Sequence, residues 1–244
     1  MTIVLTALVV FACVFGGALL GMALRSRLPE HHRSAESKEL IRSTMALIGT
    51  MSALVLGLLV ASSKGNYDAK RDQVTAASAN ILVLDRVLAH YGPEAQTARE
   101  SLKATTSAAV DAIWREGGKS SARFEDLYIA ITALSPKSDA QRTALTQINS
   151  LMLDLGRSRW LLFARSGSAI STPLLIMVVF WLTINFVSFG IFASRNRTVM
   201  VALFVGALSV AGAVYLILEM DSPFKGVLRL SDEPMRAVIE QIGR

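Results

Sequence analysis

Two acidic residues near the C-terminus are the first candidates for ion chemistry in this sequence. Glu219 and Asp221 stand just before Ser222-Pro223, where the chain leaves its last long apolar stretch. Hard cations are bound by converging carboxylate oxygens. An acidic pair at a helix exit is more commonly a solvated end, or pairs with a nearby arginine such as Arg157. Glu219 and Asp221 are therefore candidate ion-binding residues, with a solvated helix end as the alternative.

The run Glu30-His31-His32 suggests a metal site, but its spacing argues against one. Adjacent histidines in a loop lack the spacing of a zinc site, and no cysteine lies nearby because Cys13 is the only one. The sequence also contains no nucleophile–base–acid set and no Gly-rich phosphate loop. We therefore expect no metal, no cofactor and no catalytic residues, so the protein is not expected to be an enzyme.

Small residues recur at regular spacing within the apolar stretches. Small side chains on one helix stripe let two helix backbones approach closely in lipid. One reading is tight packing within a subunit, and the other places the second stretch at the centre of an oligomer, around a pore. The helix-packing candidates are Gly49, Ala53, Gly57 and Ala61 in the second stretch, and Gly17 and Gly21 in the first.

Three further residues of the second stretch are candidates for lining such a pore. Thr50, Leu54 and Leu58 lie off the small-residue stripe, so they can face an axis while the stripe packs on a neighbouring helix. A ring of leucines can gate a pore by dewetting, without a charged filter. No Asp, Glu, Lys, Arg or His lies within the stretches, which argues against a proton pump or an ion-coupled carrier.

Four long stretches of the sequence contain no Asp, Glu, Lys, Arg or His. The helices that they predict would hold the candidate side chains in place. The stretches are residues 2–24, 43–63, 166–194 and 198–218. Each is long enough for a helix to cross the hydrocarbon core, which takes roughly 20 residues. The connectors 25–42 and 195–197 are short, which predicts two hairpins, 1–63 and 166–218, followed by a C-terminal tail, 219–244. The fold class is therefore an all-α membrane protein with four transmembrane helices.

The polar region between the hairpins, residues 64–165, shows helical periodicity. Apolar residues at alternating spacings of three and four predict a helix from Val74 to Tyr91, with others before and after Ser135-Pro136. Helix breaks are predicted at Gly92-Pro93, Gly117-Gly118 and Ser135-Pro136. The apolar seams fit the core of a small helical bundle, or alternatively a coiled coil between subunits. The flanking helices can also continue into the second and third spans as stalks.

The net charge of +6 is explained by the bilayer. Basic residues flank the apolar stretches, where they contact anionic lipid headgroups. Nucleic-acid binding requires a clustered basic face with interleaved aromatic residues, and the sequence has none. The expected partners are lipid and further copies of the chain.

Several runs of sequence resemble one known family. They are LPEHHRSAESKELIRSTMALIGTMSALVLGLLVASSK, LDRVLAHYGPEA, and FWLTINFVSFGIFASRNRTV through LILEMDSPF. These runs are similar to bacterial bestrophin-like domain proteins, whose function is unassigned and which are kin to bestrophin anion channels. The resemblance implies a bestrophin-like architecture, a pentamer, chloride as the conducted ion and a second span that lines the pore. This chain lacks the aromatic neck residues and the long acidic run of calcium-gated bestrophins.

The resemblance also bears on location and orientation. It implies the bacterial inner membrane and a cytosolic helical domain. Short basic connectors are usually cytosolic, which would place the helical domain outside. Many basic residues also lie close to the membrane on the helical-domain side, so the cytosol is expected. The functional expectation is a homo-oligomeric ion channel, and the alternative is a non-conducting scaffold or sensor whose helical domain binds a partner.

Overall fold

The computed structural model describes residues 2–25, 35–114, 122–164, 171–193 and 196–243. Within these ranges the chain forms helices and no strands, which confirms the all-α prediction. The helices are α1 Thr2–Arg25, α2 Ala35–Tyr91, α3 Gln96–Trp114, α4 Ala122–Thr132, α5 Asp139–Ala164, α6 Thr172–Phe192, α7 Arg197–Asp221 and α8 Glu233–Gln241. A single 3-10 turn, Pro93–Ala95, precedes α3.

Among the described residues, four helices are long and apolar enough to cross a membrane. They are α1, α2, α6 and α7, one for each of the charge-free stretches. The chain is therefore an all-α membrane protein, as predicted. Some boundaries differ from the prediction, since α7 continues to Asp221 and α6 begins at Thr172. The predicted residues 166–170 and 194 lie outside the described ranges.

The stalk prediction is confirmed on one side and wrong on the other. Helix α2 runs without interruption for 57 residues, about 85 Å at 1.5 Å per residue. Helix α5, by contrast, ends at Ala164, and Ser171 has an extended backbone before α6 begins. Pro173 lies in the first turn of α6, where its missing N–H breaks no helical hydrogen bond. A proline at this position favours a new helix start over a continuous helix.

The chain divides into two compact units. The membrane unit comprises Met1–Asn66 and Ser168–Asp221, and the helical unit comprises Tyr67–Gly167 and Ser222–Arg244. Residues 222–243, which lie within the predicted tail 219–244, therefore pack in the helical unit.

Close contact between α1 and α6 organises the membrane unit. A Cβ atom added at Gly21 would overlap the Val187 carbonyl, and one added at Gly190 would overlap the Ala18 carbonyl. Gly21 and Gly190 thus allow the two helix backbones to approach closely. The resulting van der Waals packing holds the helices together in lipid, where the hydrophobic effect does not.

Several polar side chains of the spans are hydrogen-bonded to their own helices. The hydroxyls of Thr50, Ser52, Thr183 and Ser209 each donate to the carbonyl four residues earlier, at 2.7–2.9 Å. The Nδ2 of Asn185 donates in the same way to the Trp181 carbonyl at 3.3 Å. Each of these bonds occupies a polar group of the span without help from lipid, which has no donors or acceptors in its core.

The helical unit has the core that the seams predict. The α2 residues Val74, Ala77, Ile81, Leu84, Leu88 and Tyr91 are all buried, together with Leu102, Leu127, Ile131 and Ile148 from the following helices. The seams are thus covered within one chain, as in an ordinary bundle core. Two predicted breaks are confirmed, because α2 ends at Tyr91, before Gly92 (φ 123°, a conformation that favours glycine), and α4 ends before Ser135-Pro136. The break at Gly117-Gly118 lies outside the described residues.

The C-terminal segment joins this core through specific contacts. The Trp114 indole Nε1 donates to the Leu230 carbonyl at 2.8 Å, and the Trp114 and Phe224 rings meet edge to face with centroids 5.5 Å apart. Met235 and Val238 of α8 are buried in the same core. Residues 222–243 are therefore a structural part of the helical unit.

A buried ion pair links α2 to α3. Arg99 donates from Nε to Asp85 Oδ1 at 2.8 Å and from Nη2 to Oδ2 at 3.1 Å. The Asp85 side chain is fully buried and that of Arg99 is mostly buried. The hydrogen bond to Asp85 raises the pKa of Arg99, so the guanidinium is held as a cation. Asp85 lies within the run LDRVLAHYGPEA, but its partner is fourteen residues away.

Candidate pore-lining face

Helix α2 has two sharply different sides within the membrane unit. Ser52, Leu59 and Ser63 are buried on one side, with Val55 and Leu56 half-buried beside them. Their spacing of three, four and seven residues is that of one helix face. This face packs α2 against the rest of its own unit.

The predicted pore-lining residues lie on the opposite side and are exposed. Leu54 is 71% exposed and Leu58 is 64% exposed, and Leu47 continues the same row. Thr50 lies between them and is also exposed. We call the row formed by Leu47, Thr50, Leu54 and Leu58 the leucine row. None of the described residues covers this row, so it is exposed in the single chain and open to lipid or to another copy of the protein.

α2 is also the span least covered by its own chain. Only 11% of its most apolar window is buried, against 22–33% for the windows of α1, α6 and α7. The other three spans pack together around Val14, Val178 and Val214. Few residues of this window of α2 are therefore buried within the single chain.

The small residues of α2 lie in two environments, one against α6 and the other on the exposed side of the helix. A Cβ atom added at Gly49 would lie 3.6 Å from the Asn185 amide oxygen of α6, whereas one added at Gly57 would have nothing within 4 Å. Ala53 and Ala61 are exposed. At 3.6 residues per turn, each step of four residues rotates about 40° around the helix. The stripe therefore begins against α6 at Gly49 and turns to the open side by Gly57.

The small residues of α1 lie in a different contact. A Cβ atom added at Gly17 would lie 3.0 Å from the Thr183 methyl group of α6, and Gly21 lies against Val187. Cys13 is exposed. Gly17 and Gly21 thus pack within the protomer, whereas most of the α2 stripe does not.

The two acidic candidates at the end of α7 differ in burial. Glu219 is buried and hydrogen-bonds with Tyr215 one turn earlier, while Asp221 is half-buried. Among the described residues, no group of three or more His, Cys, Asp or Glu side chains is placed to hold a metal ion. Glu30-His31-His32 lies outside those residues. Glu219 and Asp221 remain a prediction as an ion site.

A comparison with family models identifies the family of this chain. A family model described as the Bestrophin-like domain matches residues 12–235, nearly the whole chain. The chain belongs to the Bestrophin-like domain family. The resemblance noted in the sequence is thereby confirmed. No curated protein and no solved structure matches the chain.

The Bestrophin-like domain of this chain includes both compact units. Its matched range begins in α1 and ends in α8, so it contains all of α2 with the leucine row and most of the core of the helical unit. The residues that sequence reasoning missed also lie within it, namely Gly190, Asp85 and Arg99. Gly190 could have been noticed as a glycine inside a bulky apolar span, where it weakens the helix unless close packing requires it. Membership suggests kinship with the bestrophin family of anion channels.

Proposed function

We propose that this protein forms a homo-oligomeric ion channel in which α2 lines the pore. The observation that carries the proposal is the exposed side of α2, where the leucine row stands beside Ala53, Gly57 and Ala61 on the least covered span. Small residues gain little from facing lipid tails, but they permit close helix contact. Symmetry-related copies of α2 packed through them would turn the leucine row towards a common axis.

The leucine row supplies the constriction of the proposed pore. Leu54 and Leu58 are one turn apart, so each would form an apolar ring in a closed oligomer. Such rings exclude water when narrow and conduct when wider, without any charged group. Thr50 needs no partner in the pore for its hydroxyl, which already donates to Ala46.

Kinship with bestrophins extends the proposal to ion type, assembly and location. We propose anion conduction with chloride as the ion, a pentamer, and a bacterial inner membrane with the helical unit in the cytosol. The net charge of +6 favours anions near the protein. The acidic pair Glu219 and Asp221 remains a proposed ion-binding position.

Replacing Leu58 by serine tests conduction. We expect the Leu58→Ser protein in liposomes to pass chloride severalfold faster than wild type, because a hydroxyl ring keeps the constriction wet. The matched control is Leu5→Ser on α1, since Leu5 is 61% exposed but belongs to another span. Flux is measured with a chloride-sensitive dye inside the liposomes.

Silence from wild type and Leu58→Ser alike, with inserted and oligomeric protein, would contradict the channel proposal. The scaffold or sensor function would then be favoured. An equal rise in Leu5→Ser would show that leakage follows from any serine on the membrane surface rather than from the leucine row.

Replacing Gly57 by leucine tests assembly separately from conduction. Among the described residues, nothing beyond its own helix backbone lies within 4 Å of a Cβ atom at Gly57, and the position is exposed, so a larger side chain meets open space in the single chain. A contact between neighbouring copies would not accept it. We therefore expect Gly57→Leu to abolish most of the native oligomer while leaving the monomer folded, as measured by native mass spectrometry.

Gly212→Leu on α7 is the matched control for this change. Gly212 is exposed and also has nothing within 4 Å of an added Cβ atom. Oligomer yields that are equal for Gly57→Leu and Gly212→Leu would show that the small residues of α2 face lipid.

A further inference from the structure

A groove of about 460 Å³ lies in the membrane unit, between α2, α6 and α7. It is open to the surroundings of the unit rather than enclosed, and most of its wall is apolar. The ring of Phe186 lies close to α7, since a Cβ atom added at Gly206 would be only 3.1 Å from it. Phe186 also meets Phe189 edge to face, with ring centroids 5.8 Å apart. These two aromatic rings form part of the α6 side of the groove.

The groove begins at the end of the membrane unit where α6 ends and α7 begins. Arg42, which lines it, immediately precedes the charge-free stretch 43–63. On α7 the groove extends from Val199 to Gly206, about 10 Å at 1.5 Å per residue. Because charged side chains are excluded from the hydrocarbon core, the edge of a charge-free stretch marks the headgroup level. One end of the groove is therefore at headgroup level, and the rest extends into the hydrocarbon region.

Two arginines lie at the headgroup end of the groove. Arg42 is exposed. Arg25, the last residue of α1, donates from Nη1 to the carbonyl of Ala193, which also lines the groove. None of the described lining residues is acidic. The groove thus has a positively charged end and an apolar length, and this pattern is complementary to a lipid with an anionic headgroup.

We infer that this groove binds one anionic phospholipid. The phosphate pairs with Arg42, because a guanidinium can donate two parallel hydrogen bonds to phosphate oxygens. Arg25 adds a second positive charge at the same end. One acyl chain lies along the apolar wall, against Phe186 and Leu203. The site lies within the membrane unit and does not require the protein to conduct ions.

The test uses the purified full chain in detergent. The probes are phosphatidylglycerol, which is anionic, and phosphatidylcholine with the same acyl chains, which is zwitterionic. Native mass spectrometry gives the dissociation constant of the first lipid bound per protomer. We expect wild type to bind phosphatidylglycerol about tenfold more tightly, a difference of roughly 1.4 kcal/mol.

Arg42→Gln tests the charged contact. It is expected to remove the preference for phosphatidylglycerol, because an amide pairs with phosphate without a positive charge. The matched control is Arg71→Gln, an exposed position of the same helix that does not line the groove. This control changes the net charge equally and is expected to keep the preference.

Ala202→Phe tests the apolar length. Ala202 is exposed and lines the groove, so a phenylalanine ring there occupies the space of the acyl chain. We expect binding of both lipids to weaken by about tenfold, because the chain loses its contacts along the wall. Ala12→Phe, at an exposed position of α1 outside the groove, is the matched control and is expected to bind as wild type does.

Three results would overturn the inference. One is equal binding of the two lipids by wild type. Another is an equal loss of preference in Arg42→Gln and Arg71→Gln, which would attribute the preference to net charge alone. The third is unchanged lipid binding by Ala202→Phe, and a lower oligomer yield in that variant would then show that another copy of the protein fills the groove. None of these results depends on chloride flux, so the lipid site and the channel proposal can fail separately.

Discussion

Replacing Asp85 by alanine is expected to destabilise the helical unit by about 3–5 kcal/mol, the range found when one partner of a buried ion pair is removed. Asp85 is fully buried and accepts two hydrogen bonds from Arg99, at 2.8 and 3.1 Å. Without the carboxylate, the Arg99 guanidinium would remain mostly buried without its anion. The pair joins α2 to α3, so the loss should appear in both helices.

Hydrogen exchange measured by mass spectrometry on the full chain locates this effect. The free energy of opening is read from peptides that span α2 and α3 of the helical unit. Lys137→Ala is the control, because Lys137 and Glu94 form an exposed pair at 3.2 Å, which solvent screens strongly. The double variant Asp85→Leu/Arg99→Met should recover much of the stability, since apolar replacement of a buried pair is often neutral. Equal effects of Asp85→Ala and Lys137→Ala on the free energy of opening would show that the buried pair contributes no more to stability than the exposed pair does.

Replacing Gly190 by leucine is expected to prevent normal packing of the membrane unit. The added Cβ atom would overlap the Ala18 carbonyl oxygen, which belongs to backbone and cannot rotate away. Overpacking against side chains costs about 1–3 kcal/mol, and a backbone overlap should exceed that range. The folded yield in detergent, measured by fluorescence-detected size exclusion, should fall to a small fraction of wild type. Gly21→Leu should behave alike, because it lies in the same contact.

Gly16→Leu is the matched control on α1. A Cβ atom added at Gly16 meets nothing within 4 Å, although Gly16 is adjacent to Gly17 in sequence. We expect this variant to reach nearly wild-type yield. A yield for Gly190→Leu equal to that for Gly16→Leu would mean that α1 and α6 do not rely on this close approach.

Elements with a strong periodic signal could be predicted from sequence. Charge is excluded from each span because the bilayer core penalises it, so four spans are visible as four charge-free stretches. The seam from Val74 to Tyr91 is visible because a single helix face must be apolar to be buried. The resemblance to the family could be recognised because it covers nearly the whole chain.

Contacts between distant segments could not be predicted in the same way. Asp85 and Arg99 look like ordinary surface charges until α2 and α3 are folded together. Gly190 has no regularly spaced small partner in its own helix, since its partner Ala18 lies on α1. The return of residues 222–243 to the helical unit depends on Trp114 and Phe224, which carry no periodic pattern. The break between α5 and α6 could have been predicted only if Pro173 had been given more weight than the apolar run around it.

The bonds of Thr50, Ser52, Thr183, Ser209 and Asn185 to their own helices have a consequence for biogenesis. Each of these hydrogen bonds can form before its helix meets any other. The groups that they occupy therefore add less to the cost of moving a span into lipid, and the spans can find their neighbours afterwards. Steric fit at Gly21 and Gly190, rather than polar attraction, then determines which helices stay together.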